Sequence, residues 1–248
     1  MAFGTLPKMI LFDYGRTLLY EPEFDFLRGE KKLAEYIKAN PHGYTGEQIN
    51  GFASDIFEEM GAVRKQGFDL NERQFQQFVY EYLGIEFSIS LEEAERIQWD
   101  NVSPGEQMPG AEEMLDYIRE KGIRSGVISN IGWTGYALKE RISRLLPDHQ
   151  FEFIIASSEY MFRKPHRYLF ELALRKAALS PDEVWFCGDN VEADVLGAAN
   201  VGIFPVWYED QTKEYPWKDS RSGIIPTCEH LHIHHWDELI QVLGESGK

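Results

Sequence analysis

A chain of 248 residues, 43% apolar and 14% aromatic, is long enough for one large domain or a core with a smaller insert, and too apolar for disorder. Its net charge of −16 repels nucleic acid and anionic membrane, so neither is an expected partner. No apolar run approaches a spanning helix, the opening "MAFGTLPKMILF" lacks a secretion-signal pattern, and two cysteines, Cys187 and Cys228, make no disulfide framework, so a cytoplasmic setting is expected.

In chain order, "MILF" at Met9–Phe12 is a continuous apolar run, as expected of a parallel strand covered on both faces. It ends in Asp13, followed closely by Gly15, Arg16 and Thr17. Residues 21–103 then change character. A weak helical pattern covers Phe26 to Ala39 and stops at Asn40-Pro41. A second runs through Ile49, Phe52, Ile56 and Met60, preceded by Thr45 and Gln48 at capping-box spacing. Phe75, Phe78, Val79 and Tyr82 give a third, and Ser90 with Glu93 opens a fourth.

"SPGEQMPG", Ser103 to Gly110, reads as a linker back into a second pattern, in which strands and helices alternate. Strands are expected at Arg124–Ser129, Phe151–Ala156, Val184–Cys187 and Ile203–Trp207, with helices over "GAEEMLDYIREKG" and "RYLFELALRKAAL". The predicted fold is therefore α/β: a doubly wound, Rossmann-like parallel sheet from residues 1–20 and 104–248, carrying a helical cap over 21–103. The connection Asp210 to Thr227 is longer than the usual 4–6 or so residues and is left unassigned. "EHLHIHHW" puts His230, His232 and His234 on one strand face. Histidines along one strand lack the turn that wraps ligands round a tetrahedral ion, so this stretch reads as a final edge strand before a closing helix, "WDELIQVL".

Four stretches carry candidate chemistry: Asp13 in "FDYGRTL", Ser129-Asn130 ending "GVISN", Lys164 in "RKPHRYLF", and Asp189 with Asp194 in "CGDNVEAD". In an open parallel sheet, ligands bind beyond the carboxyl ends of the strands, and Asp13, Ser129 and Asp189 all fall there. Clustered carboxylates repel unless a cation sits among them, and hard oxygen ligands select Mg²⁺. A carboxylate can also attack phosphorus, while a hydroxyl, an amide and an ammonium hold the transferring oxygens. Taken singly, each residue has a plainer reading. Asp13 fits a turn, Ser129-Asn130 a helix cap, Lys164 a solvated loop, and Asp194 a charge at a helix N-terminus. Arg16 fits either a grip on phosphate or carboxylate, or a pair with an acidic neighbour.

Together and in this order, the four stretches resemble the haloacid dehalogenase-like hydrolases, in the branch with a helical cap inserted after the first strand. That resemblance implies Asp13 as nucleophile and Mg²⁺ ligand, Gly15 as a backbone-carbonyl ligand, Asp189 as a direct ligand and Asp194 as a supporting one. It also implies Ser129 and Lys164 as phosphate holders, with Arg16 and Asn130 beside them, and a small phosphorylated metabolite as substrate.

The sequence departs from the family pattern at Gly15, where the family carries its acid/base aspartate, and at Arg16, where it usually carries glycine. A positioned acid/base is worth about 10²–10⁴ in rate. Replacements within reach of the sequence are Glu21, Glu23, Asp25 and His42, or a proton from the substrate itself. The alternatives are a weakened protein that only binds Mg²⁺ and phosphate, a dehalogenase-type C–X hydrolase, or a phosphonatase-type C–P hydrolase using Lys31, Lys32, Lys38 or Lys65 as a Schiff base. Phe68 and Trp99 are candidates for substrate contact.

Overall fold

The computed structural model describes residues 6–211 and 223–245. Strand β1 (Met9–Phe12) leads through a tight turn to the two-residue β2 (Leu19–Tyr20). Helix α1 (Phe26–Ala34), strand β3 (Ile37–Ala39), helices α2 (Gly46–Lys65) and α3 (Glu72–Leu83), strand β4 (Glu86–Phe87) and helix α4 (Leu91–Val102) follow. The chain returns through β5 (Glu106–Gln107), α5 (Ala111–Glu120), β6 (Arg124–Ser129), α6 (Gly135–Leu145), β7 (Ile154–Ala156), α7 (Arg167–Ala177) and β8 (Val184–Gly188). A wide turn at Val191–Leu196, a short α8 (Gly197–Ala199), β9 (Phe204–Tyr208), β10 (Leu231–Ile233) and α9 (Trp236–Glu245) complete it.

Six strands form one parallel sheet in the order β10-β9-β8-β1-β6-β7. Alternation along β1 divides the core. Ile10 and Phe12 face a cluster with Met114 and Ile118 of α5, Leu138 of α6 and Trp236 of α9. Met9 and Leu11 face Leu169, Phe170 and Ala173 of α7 on the opposite side. Both faces of the central strand are thus dry, which is why "MILF" carries no polar alternation. No helix among the described residues is long and apolar enough to cross a membrane.

The segment between β2 and β5 has its own core, built on Leu33, Ile49, Val79, Leu83 and Ile97. Its helices start where side chains cap them: Asp25, Thr45, Asn71 and Ser90 each accept an N-terminal backbone N–H, and Gln48 completes the reciprocal box with Thr45. Helix α1 stops at Ala34 rather than reaching Ala39, because Ile37–Ala39 pairs antiparallel with β4 and the Tyr36 carbonyl accepts the Ser88 N–H at 2.9 Å. The strand expected from Phe151 begins only at Ile154, and helix α6, not foreseen, starts from the Thr134 cap.

This helical segment is tied to the sheet domain at several points. Arg163 Nη1 reaches Asp69 at 2.7 Å, and the Glu72 N–H donates to the Gly132 carbonyl at 2.8 Å. Glu95 of α4 is fully buried and accepts from the Thr134 N–H at 2.6 Å and its hydroxyl at 2.7 Å, capping α6 from outside. Asp100 of α4 reaches Arg141 at 3.2 Å and Arg144 at 2.6 Å, both on α6.

Candidate active site

The neighbouring strands β8, β1 and β6 end side by side, with Asp189 and Asp13 just past the first two and Ser129 the last residue of β6. The Asp13 N–H donates to the Cys187 carbonyl at 2.8 Å, continuing the ladder one residue past β1 and fixing where the carboxylate leaves the sheet. Carboxylate oxygens of Asp13, Asp189 and Asp194 all lie within 4.8 Å of one another. Lys164 bridges two of them, with Nζ 2.6 Å from Asp13 Oδ1 and 2.7 Å from Asp194 Oδ1. Gly188 makes this approach possible, since a Cβ there would sit 2.4 Å from the Asp194 carboxylate.

The electrostatics follow from that crowding. Burial pushes the Asp194 carboxyl up, to about 6; Lys164 opposes the rise and Asp13 adds to it. For Lys164, burial works against the charged form, but Asp13 and Asp194 outweigh it and hold the ammonium above its usual value. Two of the three carboxylates hold one buried ammonium between them, and the donor set of hard oxygens fits a Mg²⁺ ion.

The second ring is set by backbone clamps. Asn130 accepts the Lys164 N–H at 2.7 Å and returns its own amide N–H to the Lys164 carbonyl at 2.8 Å, so the end of β6 positions the lysine loop. Arg16 lies in the left-handed region at φ +57°, which costs a bulky residue about 1–2 kcal/mol, and its N–H closes the turn onto the Leu19 carbonyl at 2.7 Å. A Cβ at Gly15 would meet nothing within 4 Å, so the backbone there leaves room for a β-carbon.

Asp13, Gly15, Arg16, Ser129, Asn130, Lys164 and Asp194 line one cavity of about 290 Å³. Asp189 joins them through the carboxylate cluster. Of the acids considered in place of an aspartate at position 15, only Glu21 lines this cavity. It is buried, accepts from the Tyr14 hydroxyl at 2.8 Å and lies 3.6 Å from Arg141. Burial raises its pKa, and Asp13 adds to the rise, against the pull of Arg141 and the Tyr14 hydrogen bond. Glu23 pairs with Arg28 at 2.7 Å, and Asp25 caps α1. His42 sits against Tyr44 in the turn before α2. Lys31, Lys32 and Lys38 form ion pairs with Glu47, Glu35 and Glu86, and none of these lysines, nor Lys65, lines the cavity.

A second cavity of about 640 Å³ opens between the helical segment and the sheet domain and shares Phe24, Asn130, Ile131 and Trp133 with the first. Phe26, Phe57 and Phe75 give it apolar walls, and Glu30 and Glu72 place carboxyls along it. Trp99 is stacked on Trp133 at 5.1 Å and Phe68 packs on Phe162, and neither lines either cavity. Neither of the two proposed contact aromatics therefore touches the space; Phe24 and Trp133 do, and only their position in three dimensions reveals it.

Residues 7–202 match the description "haloacid dehalogenase-like hydrolase". The glyceraldehyde 3-phosphate phosphatase of Pyrococcus furiosus is 33% identical over 82% of this chain and 80% of its own length. Among solved structures, a HAD phosphatase from Thermococcus onnurineus aligns with a TM-score of 0.60 at 19% identity, covering 96% of this chain and 98% of that one. A 2-haloacid dehalogenase from Pseudomonas syringae pv. tomato gives 0.59 at 20% identity, with 96% and 99% covered.

Proposed function

Since the chain belongs to the haloacid dehalogenase-like hydrolases, we propose that it is a Mg²⁺-dependent phosphatase acting through an aspartyl-phosphate on Asp13, with Glu21 in the acid/base role vacated at Gly15. The observation that carries this reading is the cluster of Asp13, Asp189 and Asp194 within 4.8 Å, bridged by Lys164, in a cavity at the strand tips. These carboxylates and the Gly15 carbonyl would hold Mg²⁺, which supplies positive charge for an incoming phosphate.

In the proposed reaction, the Asp13 carboxylate attacks phosphorus in line as the bond to the leaving oxygen breaks. Lys164, Ser129 and the Asn130 region steady the equatorial oxygens. In its protonated form, which burial favours and Arg141 and the Tyr14 hydrogen bond oppose, Glu21 gives a proton to the leaving alkoxide. The ionised Glu21 then takes a proton from water as that water attacks the phosphorus of the acyl phosphate, and Asp13 departs as the carboxylate. Arg141 and Tyr14 hold Glu21 in place throughout. Residues 21–103 act as a cap whose closure keeps water out of the cavity.

The larger cavity points to a leaving group bigger than a triose, one with an aromatic or other flat ring against Phe24 and Trp133. A metal-free dehalogenase is less favoured, because it would leave three convergent hard-oxygen donors without the cation they suit. A C–P hydrolase would need a cap lysine in the cavity, and none lines it.

The test is phosphate release from acetyl phosphate, an aryl phosphate and a set of alkyl phosphates, with and without Mg²⁺. Mg²⁺-dependent release that Asp13→Ala lowers by at least about 10³-fold supports the enzyme. Mg²⁺-dependent phosphate binding with no turnover on any substrate would replace it with a binding protein.

A further inference from the structure

The sheet carries a second constellation on the outer face of its last strand pair. Parallel pairing sets Trp207 of β9 opposite His232 of β10 and Tyr208 opposite Ile233. Tyr208 and Ile233 are buried, so by alternation Trp207 and His232 share the outward face, and two residues further along each strand Glu209 and His234 share it too. The Glu209 N–H donates to the Ile233 carbonyl at 2.9 Å, extending the ladder and holding these four residues in a fixed two-by-two patch.

Three of the four carry metal-ligating atoms, and one such atom from each of Glu209, His232 and His234 lies within 4.8 Å of the others. His232 Nε2 is 3.1 Å and His234 Nδ1 3.9 Å from Glu209 Oε2. Ligand atoms around a tetrahedral ion with bonds of about 2.0–2.1 Å stand roughly 3.3 Å apart, so the set would close on an ion by side-chain adjustments of up to about 1.5 Å. The Trp207 indole stacks on His232 at 3.9 Å and 9°, fixing the plane of that ring. The turn that one strand of histidines cannot make is made by the neighbouring strand, which brings Glu209 across. His230 is not one of the three, its Nδ1 lying 2.9 Å from the Cys228 carbonyl; the His234 Nδ1 lies 2.9 Å from the Glu209 carbonyl, a hydrogen bond that an ion would displace.

We propose that Glu209, His232 and His234 form a site for a first-row divalent ion of borderline softness, Zn²⁺ in particular, with water in the fourth position. Two imidazoles and one carboxylate are a donor set that such ions prefer and Mg²⁺ does not. The site lies along the same sheet edge as Asp13 but two to three strands away, roughly 10–15 Å, so it stands apart from the carboxylates at the strand tips. Its effect is to clip β10, an edge strand, onto β9.

The test uses the full chain without an affinity tag, stripped with chelator and titrated with ZnCl₂ by calorimetry in the presence of excess Mg²⁺. Expected is one Zn²⁺ per chain in the micromolar range or tighter, weakened at least about tenfold by His232→Ala and by Glu209→Gln, and unchanged by Asp189→Asn. Cu²⁺ should quench a fraction of tryptophan emission that Trp207→Phe removes. Circular dichroism of each variant separates lost binding from lost fold, and His234→Ala provides a second, independent loss. No Zn²⁺ binding below about millimolar, binding that survives His232→Ala in a folded chain, or binding that disappears in Asp189→Asn would each overturn the site.

Discussion

At the strand tips, two of the carboxylates are answered by a cation: Lys164 lies 2.6 Å from Asp13 and 2.7 Å from Asp194. In the helical segment, Glu30 is equally buried but leans on neutral donors, the Tyr80 hydroxyl at 3.0 Å and the Gln98 amide at 3.1 Å. Burial drives its pKa up to about 7, and those two hydrogen bonds recover only part of the loss. The contrast separates two tasks. The sheet edge concentrates charge on rigid strand ends, where a reacting group must stay put. The helical segment encloses an apolar space and tolerates acids that are neutral for part of the physiological range.

The largest expected effect tests the charged side. Glu21→Gln should lower kcat/KM for alkyl phosphates by about 10²–10⁴, and kcat/KM for acetyl phosphate far less, because acetate needs no proton to leave and the hydrolysis of the aspartyl-phosphate, common to both, enters kcat alone. Gly15→Asp in that background should restore much of the loss, since a Cβ at position 15 meets nothing within 4 Å. Equal losses in kcat/KM on all substrates would mean that Glu21 only props Tyr14 and Arg141.

Next comes the neutral side. Glu30 binds a proton more tightly folded than unfolded, so between pH 4.5 and about 7 the folded chain carries more protons and stability falls as pH rises. Glu30→Gln should therefore stabilise the chain by roughly 1–3 kcal/mol at pH 8 and by almost nothing at pH 4, read from urea midpoints. A gain that is the same at both pH values would sink this account.

The smallest effect is at the junction. Phe24 is 44% exposed and lines both cavities, so Phe24→Ala should cut kcat/KM by about tenfold for a ring-bearing phosphate and leave acetyl phosphate unchanged.

Much of the sheet edge was legible before any coordinates. Asp13, Ser129, Asp189 and Asp194 are announced locally, by an apolar strand that stops and a short polar group that follows it. Period and length also located most of the helices. What stayed hidden depends on partners distant in sequence. In the sequence Glu21 is one acid among three, and its contacts with Tyr14 and Arg141 appear only in the fold. Glu209 gave no signal at all, because its relation to His232 exists only through strand pairing across 23 residues. The true end of α1 was set by β4, some fifty residues downstream. The unassigned connection at Asp210 to Thr227 lies largely outside the described residues.

Helix α6 receives Glu95 at its first turn and Asp100 further along, and the same helix presents Arg141 to Glu21. Lifting α4 away would therefore strip Arg141 of one carboxylate and leave its charge freer to act on the other. In the proposed reaction, entry of a ligand and the readiness of a proton would then be geared to a single lever, with no need for the moving part to touch the reacting atoms.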